Sequence, residues 1–169
     1  STNTIVSIIN GAGNDEILVN NGYAYTNLID WGWSVSLENI ISIIDVSTNS
    51  VVDSLTFDEE PVSMVLDQNS DIWVLSGGIT IYDPTTWAII ETTVAKLEKI
   101  TNASIAESYF FPSGISPSML RIDETGTQLF YKVNNEIFSM NIYDNQLPNN
   151  HIISGNFYNY DYNYGYLYL

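Results

Sequence analysis

The sequence predicts an all-β fold built from repeated units of four antiparallel strands, and three observations carry that prediction. Apolar and polar residues alternate in short runs rich in Ile, Val, Tyr and Trp, broken by Asn, Asp, Gly, Ser and Pro. Helical periodicity is close to absent; Ile89–Thr101 comes nearest, and its Thr92-Thr93-Val94 centre of β-branched residues disfavours a helix. A pair of hairpins then recurs in step: Pro61 and Pro117, like Asp67 and Asp123, stand 56 residues apart.

Taken in order, the strands follow from these runs and their punctuation. Thr4–Ile9, Glu16–Asn20 and Gly22–Ile29 are split by Asn- and Gly-containing turns. Ile40–Val46 and Ser50–Phe57 form a hairpin across the polar turn Ser47-Thr48-Asn49, and Val62–Asp67 and Asp71–Leu75 form the next across Gln68-Asn69-Ser70. Ile79–Tyr82 and Trp87–Val94 flank Asp83-Pro84-Thr85-Thr86 and read as a partial further copy. Lys96–Ile100, Ile105–Phe111, Met119–Asp123 and Gln128–Val133 repeat the order of 40–75. Glu136–Ile142, His151–Ser154, Phe157–Tyr160 and Tyr164–Leu169 complete the set as a last copy. Asp45, Asp67, Asp83 and Asp123 all end strands, where a side-chain oxygen closes a turn.

Four-stranded antiparallel units copied in register describe a β-propeller, whose radial arrangement leaves only short edges; a two-sheet sandwich requires no such copies. The reading is one propeller domain over residues 1–169 covering about four blades, with half a blade missing near 94–96, where Val94-Ala95-Lys96 runs straight into a second hairpin.

Composition removes several function classes. Acids outnumber bases 20 to 4, for a net charge of −16, so a phosphate backbone would be repelled and nucleic acid is not an expected partner. With no cysteine and the single His151, thiol chemistry and His or Cys metal centres are excluded. The Asn10–Glu16 loop lacks the alternating acids of a calcium loop, so no metal site is assigned. No Gly-x-Ser-x-Gly elbow or phosphate-cradling glycine loop occurs, and neither catalytic residues nor a cofactor is assigned.

The pattern Ile43-Ile44-Asp45-Val46-Ser47-Thr48-Asn49-Ser50-Val51-Val52, then Pro61, Asp67 and Asp71-Ile72-Trp73-Val74, resembles the YVTN-type surface-layer β-propeller repeat. The second copy, Lys96–Ile100 followed by Ser116-Pro117-Ser118-Met119-Leu120-Arg121-Ile122, is similar to a branch found in secreted lipoproteins of Gram-negative bacteria. The resemblance spans most of 39–169 and implies a propeller of about seven blades, of which these residues would be a part. It also implies an extracellular, outer-membrane location, with membrane contact only through a lipid anchor whose cysteine is not among these residues. Some relatives assist an outer-membrane transporter, and a cobalamin-like cargo follows from them.

Binding on propellers falls to loops that enter the first strand or leave the second strand of a blade. Trp31 and Trp33 sit in such a loop, and Asp58, Glu59 and Glu60 in its neighbour, pairing indoles with carboxylates as a ligand patch. The plainer reading folds the indoles back on the blade and leaves the acids solvated. In the Tyr- and Asn-rich C-terminal segment, Tyr160, Tyr162 and Tyr164 are candidates for stacking on a sugar or planar ligand, and Tyr158, Tyr166 and Tyr168 are expected in the core. The expected function is a non-enzymatic cell-surface module binding a small planar ligand or a protein. The alternatives are a structural or adhesive module of an envelope complex and a calcium-dependent propeller hydrolase or lyase.

Overall fold

The structure, a computed structural model, describes residues 9, 16–27, 39–78 and 80–169. Every regular element among them is a β-strand. Strands β1 (Ile17–Asn20), β2 (Tyr23–Asn27), β3 (Ile40–Asp45) and β4 (Ser50–Thr56) form one four-stranded antiparallel sheet in chain order. The second sheet runs β5 (Glu60–Leu66), β6 (Ile72–Gly77), β9 (Lys96–Thr101), β10 (Ser104–Phe110); the third runs β11 (Pro117–Ile122), β12 (Gln128–Val133), β13 (Glu136–Asn141), β14 (Ile153–Ser154). Two hairpins complete the set: β7 (Thr80–Tyr82) with β8 (Ile89–Thr92), and β15 (Asp161–Asn163) with β16 (Tyr166–Tyr168). The first strands β1, β5, β11 and β15 touch in succession, which places them around one axis. The fold is a β-propeller of four-stranded antiparallel blades.

The core lies in the seams between sheets. Central strands are buried on both faces, so β6 reads Ile-Trp-Val-Leu without alternation. Ile72 and Val74 turn to the first sheet and join Ile41, Phe57, Met64 and Ile100. Trp73 and Leu75 turn to the third sheet and join Leu97, Tyr109, Leu129 and Tyr131. Phe130 and Ile137, on the far side of the third sheet, receive Tyr160 from the final segment. The outer strands β4 and β10 are mostly exposed, and Asp53 and Glu107 keep those edges charged.

The 56-residue offset has a structural counterpart in turns and bulges. Asp67 Oδ1 accepts from the backbone N–H groups of Asn69 (2.8 Å) and Asp71 (3.0 Å), and Asp123 Oδ1 accepts from those of Thr127 (2.8 Å) and Gln128 (2.9 Å). The two turns dock, with Gln68 N–H donating to the Gly126 carbonyl at 3.0 Å. Gly126 has φ +67°, and a Cβ there would lie 2.6 Å from Gln68 N, so glycine is required twice over. The inner strands β5 and β11 slip register between Pro61 and Ser63 and between Ser118 and Arg121. A neighbouring unit closes each bulge: the Glu16 carboxylate accepts from Met64 N–H at 2.7 Å, and Tyr160 O–H donates to the Met119 carbonyl at 2.5 Å.

Three sequence expectations are corrected. Residues 80–92 are not a further copy within a blade; β7 and β8 pair with each other and loop out of the second sheet. The chain then returns at Lys96 to pair β9 directly with β6, Ser76 opposite Lys96, so that sheet holds four strands without a gap. Phe157–Tyr160 is not a strand, because the final hairpin is set by its turn: Tyr164 (φ +50°) and Gly165 (φ +78°) form a type I′ connection, pairing Asn163 with Tyr166. That phase leaves Tyr166 and Tyr168 exposed rather than in the core, and Tyr158, in the irregular segment before the hairpin, is exposed as well.

Candidate functional site

The loop from β4 to β5 carries Asp58 and Glu59, and its course is fixed by the entry to β3. Phe57 is buried, its N–H donates to the Asn39 carbonyl at 2.8 Å, and Asn39 Nδ2 donates to the Asp58 carbonyl at 3.0 Å. Asp58 then points to solvent, while Glu59 turns inward and is 6% exposed. Glu60 begins β5 opposite Gly77 and is half-buried.

Strand β9 supplies the other wall. Lys96 faces Ser76 across the ladder, and Glu98, two residues on, shares its side. Lys96 Nζ pairs with Asp58 and lies 5.5 Å from the Phe110 ring centroid. Glu98 is 4% exposed, and one of its oxygens accepts from Ser108 Oγ at 3.2 Å. Burial raises the Glu98 pKa; Ser108 and Lys96 oppose the shift, and the charges of Asp58 and Glu59 add to it. Asp58 is held below the usual carboxylate range by the hydrogen bond and charge of Lys96. Glu59 Oε2, Glu98 Oε2, Ser76 Oγ and Asn39 Oδ1 are all buried with no hydrogen-bond partner. This rim gathers two inward carboxylates, a hydroxyl and an amide oxygen behind an ion pair whose Asp58 is exposed and whose Lys96 is buried.

Of the residues singled out from sequence, Asp58 and Glu59 meet here, with Glu60 beginning the adjoining strand. Trp31 and Trp33 lie outside the described residues. The tyrosines belong to the opposite end of the described chain and form no common platform. Tyr160 is a core residue, Tyr162 stacks on Phe130 with centroids 4.8 Å apart, and Tyr164 is 80% exposed at the hairpin turn. Sequence reasoning missed Ser76, Lys96 and Glu98. The sequence shows Lys96 and Glu98 flanking Leu97 in a strand, but the pairing that makes this strand internal to its sheet, where charge needs an explanation, comes from the structure. Among the described residues no group of three or more His, Cys, Asp or Glu side chains is placed to hold a metal ion.

No protein-family profile matches the chain, and no curated protein does. Among solved structures it is similar to Kuenenia stuttgartiensis hydrazine synthase, with a TM-score of 0.50 and 15% identity over 72% of this chain and 37% of that one. It is also similar to the β-propeller domain of Myceliophteria thermophila Cps50 (Swd1), with a TM-score of 0.44 and 12% identity over 96% of this chain and 62% of that one. At these identities the likeness concerns fold alone, and the chain spans well under two thirds of the hydrazine synthase chain.

Proposed function

We propose that this chain is a binding module of a cell-surface β-propeller, holding a ligand or partner at the rim where Asp58 and Glu59 meet Lys96 and Glu98, without catalysing its conversion. The observation that carries the reading is the set of buried oxygens on Glu59, Glu98 and Ser76 that lack partners. Buried polar atoms are nearly always hydrogen-bonded, so a set left open at a loop-bearing rim supports a complement supplied from outside the chain. The repeat resemblance adds the wider setting as part of the proposal: a YVTN-type secreted lipoprotein serving an outer-membrane transporter, with cobalamin-like cargo.

Thermal unfolding of the purified chain against cobalamin, haem and basic peptides tests the reading. A ligand at one hundred times its Kd raises stability by about 2.7 kcal/mol. The expected result is a stabilising ligand whose effect disappears in Glu59→Gln and Glu98→Gln. Stabilisation that survives both substitutions places binding elsewhere and refutes the site. A structural or adhesive role is favoured by one other feature, the β7–β8 hairpin, which exposes Trp87, Ile89 and Ile90.

A further inference from the structure

The chemistry of the rim narrows what it can hold. Glu59 and Glu98 are both more than nine-tenths buried, each with an oxygen that accepts nothing, and Ser76 is fully buried with a free hydroxyl aimed to the same side of the sheet. Asn39 adds a fourth open acceptor beside the Asp58 carbonyl. The nearest resident cation is shared: the Lys96 ammonium is engaged by Asp58 and packs over Phe110, and it reaches Glu98 only through its charge, without a hydrogen bond to the open oxygens. Three carboxylates against one lysine leave the cluster with excess negative charge when ionised, and the charges of Asp58 and Glu59 both disfavour ionised Glu98. Buried carboxylates of this kind are stable only when paired with a cation or protonated.

We propose that this rim is a guanidinium site, built to receive an arginine side chain presented by a ligand or partner protein; the inference rests on the binding reading above and names its chemistry. Four open acceptors exceed the three donors of an ammonium and suit the five N–H groups of a planar guanidinium, which forks between carboxylates. Asp58 stands on the solvent side of the cluster and holds the buried Lys96 ammonium, so this pair is the gate. An entering guanidinium takes Asp58 and the buried carboxylates, and the lysine swings out.

The test titrates the full chain with N-acetyl-arginine amide at constant ionic strength, followed by calorimetry and amide NMR. Tetramethylammonium, which has no N–H donor, and calcium chloride serve as comparison probes. Saturable arginine-amide binding is expected, with amide shifts centred on 58–60, 76 and 96–98. Glu59→Gln and Glu98→Gln each weaken it by about tenfold or more, and both are isosteric changes that leave the fold intact. Lys96→Met tightens it several-fold by removing the competing charge, a result that a purely structural role for the cluster does not produce. The inference is overturned by equal responses to tetramethylammonium, by arginine-amide binding indifferent to both Gln substitutions, or by saturable calcium binding without arginine-amide binding. A neutral ligand that binds with Glu59 and Glu98 dependence, while arginine amide does not, leaves the site standing and removes only the guanidinium assignment. If neither series depends on those residues, both readings fall.

Discussion

Asp67 and Asp123 hold equivalent turns in successive blades, and the difference in what they bind yields a quantitative prediction. Each carboxylate accepts two turn N–H groups, and Asp67 also accepts from Trp73 Nε1 at 3.0 Å. The residue 56 positions after Trp73 is Leu129, so Asp123 has no indole to hold. In Asp123→Ala the turn amides, which are only partly buried, find water, and the cost is about 1–2 kcal/mol. In Asp67→Ala the same loss occurs and the Trp73 N–H, at 0% exposure, is left without a partner. That adds about 1–3 kcal/mol, for a total near 2–5 kcal/mol. At about 2–4 °C per kcal/mol for a chain of this size, Asp67→Ala lowers Tm by roughly 10 °C and Asp123→Ala by roughly 5 °C. Urea unfolding of both variants, with Trp73→Phe and the Asp67→Ala/Trp73→Phe double variant, closes a cycle in which the indole–carboxylate coupling is about 1–3 kcal/mol. Equal destabilisation by the two alanines, or additivity within about 0.5 kcal/mol in the cycle, refutes the claim that this bond ties turn to core.

Gly126→Ala is expected to cost about 2 kcal/mol or more, because φ +67° and a 2.6 Å approach to Gln68 N act together, whereas Gly165→Ala, at φ +78° with open space around it, costs only about 1 kcal/mol in chemical denaturation. Glu98→Gln stabilises at neutral pH: burial raises the folded-state pKa, so ionising Glu98 penalises the folded state as pH rises from the unfolded value through the folded one. The stability gain over wild type therefore fades below about pH 4, and a gain independent of pH contradicts the burial argument. Asp123 has the opposite sign. Burial pushes its pKa up, but hydrogen bonds from Thr125, Gln128 and Thr127 outweigh that and lower it, so its contribution is present above the unfolded carboxylate range and lost as pH falls through the folded value. Excising 80–92 with a short linker leaves cooperative unfolding and the β-sheet circular-dichroism spectrum intact, since β7 and β8 pair only with each other in the sheet topology; loss of cooperative folding counts against that.

The blade architecture was legible because it rests on local signals that repeat. The Pro61/Pro117 and Asp67/Asp123 offsets mark where inner strands begin and end, and the outer hairpins 40–56 and 96–110 follow with alternating side chains. What failed was the assignment of 80–92, whose Ile81, Tyr82, Ile89 and Ile90 look like any buried strand pair while three of the four are at least half exposed. Hydrophobicity says a strand will form, but not which sheet it joins. The tyrosine phase failed for a similar reason, since Tyr164-Gly165 sets the register of the final hairpin and a tyrosine at positive φ carries no compositional warning. Asp58 and Glu59 were visible as an acidic run, yet only the pairing of β9 with β6 brings Glu98 and Lys96 beside them.

The position of that cluster within the fold explains how one pair of strands meets two demands. On one face of β6 and β9, Trp73, Leu75 and Leu97 are fully buried and make the seam to the third sheet largely apolar, with Lys99 opposite Trp73 paired to Asp71 at its margin. On the other face the same strands pass from Ile72 and Ile100, through Val74 and Glu98, to Ser76 and Lys96 at the rim. Stability is concentrated in the apolar seam and in the inner half of the graded one, where Ile41, Val74 and Ile100 meet. The rim half gains little from burial and leaves acceptors open at a cost of about 1–3 kcal/mol each. A sequence under selection for stability alone would continue the apolar pattern to the end of the strand. Placing two acids and a serine there instead concentrates unsatisfied polarity at one end of the strand pair, and under the proposed reading a guanidinium arriving at that rim satisfies it.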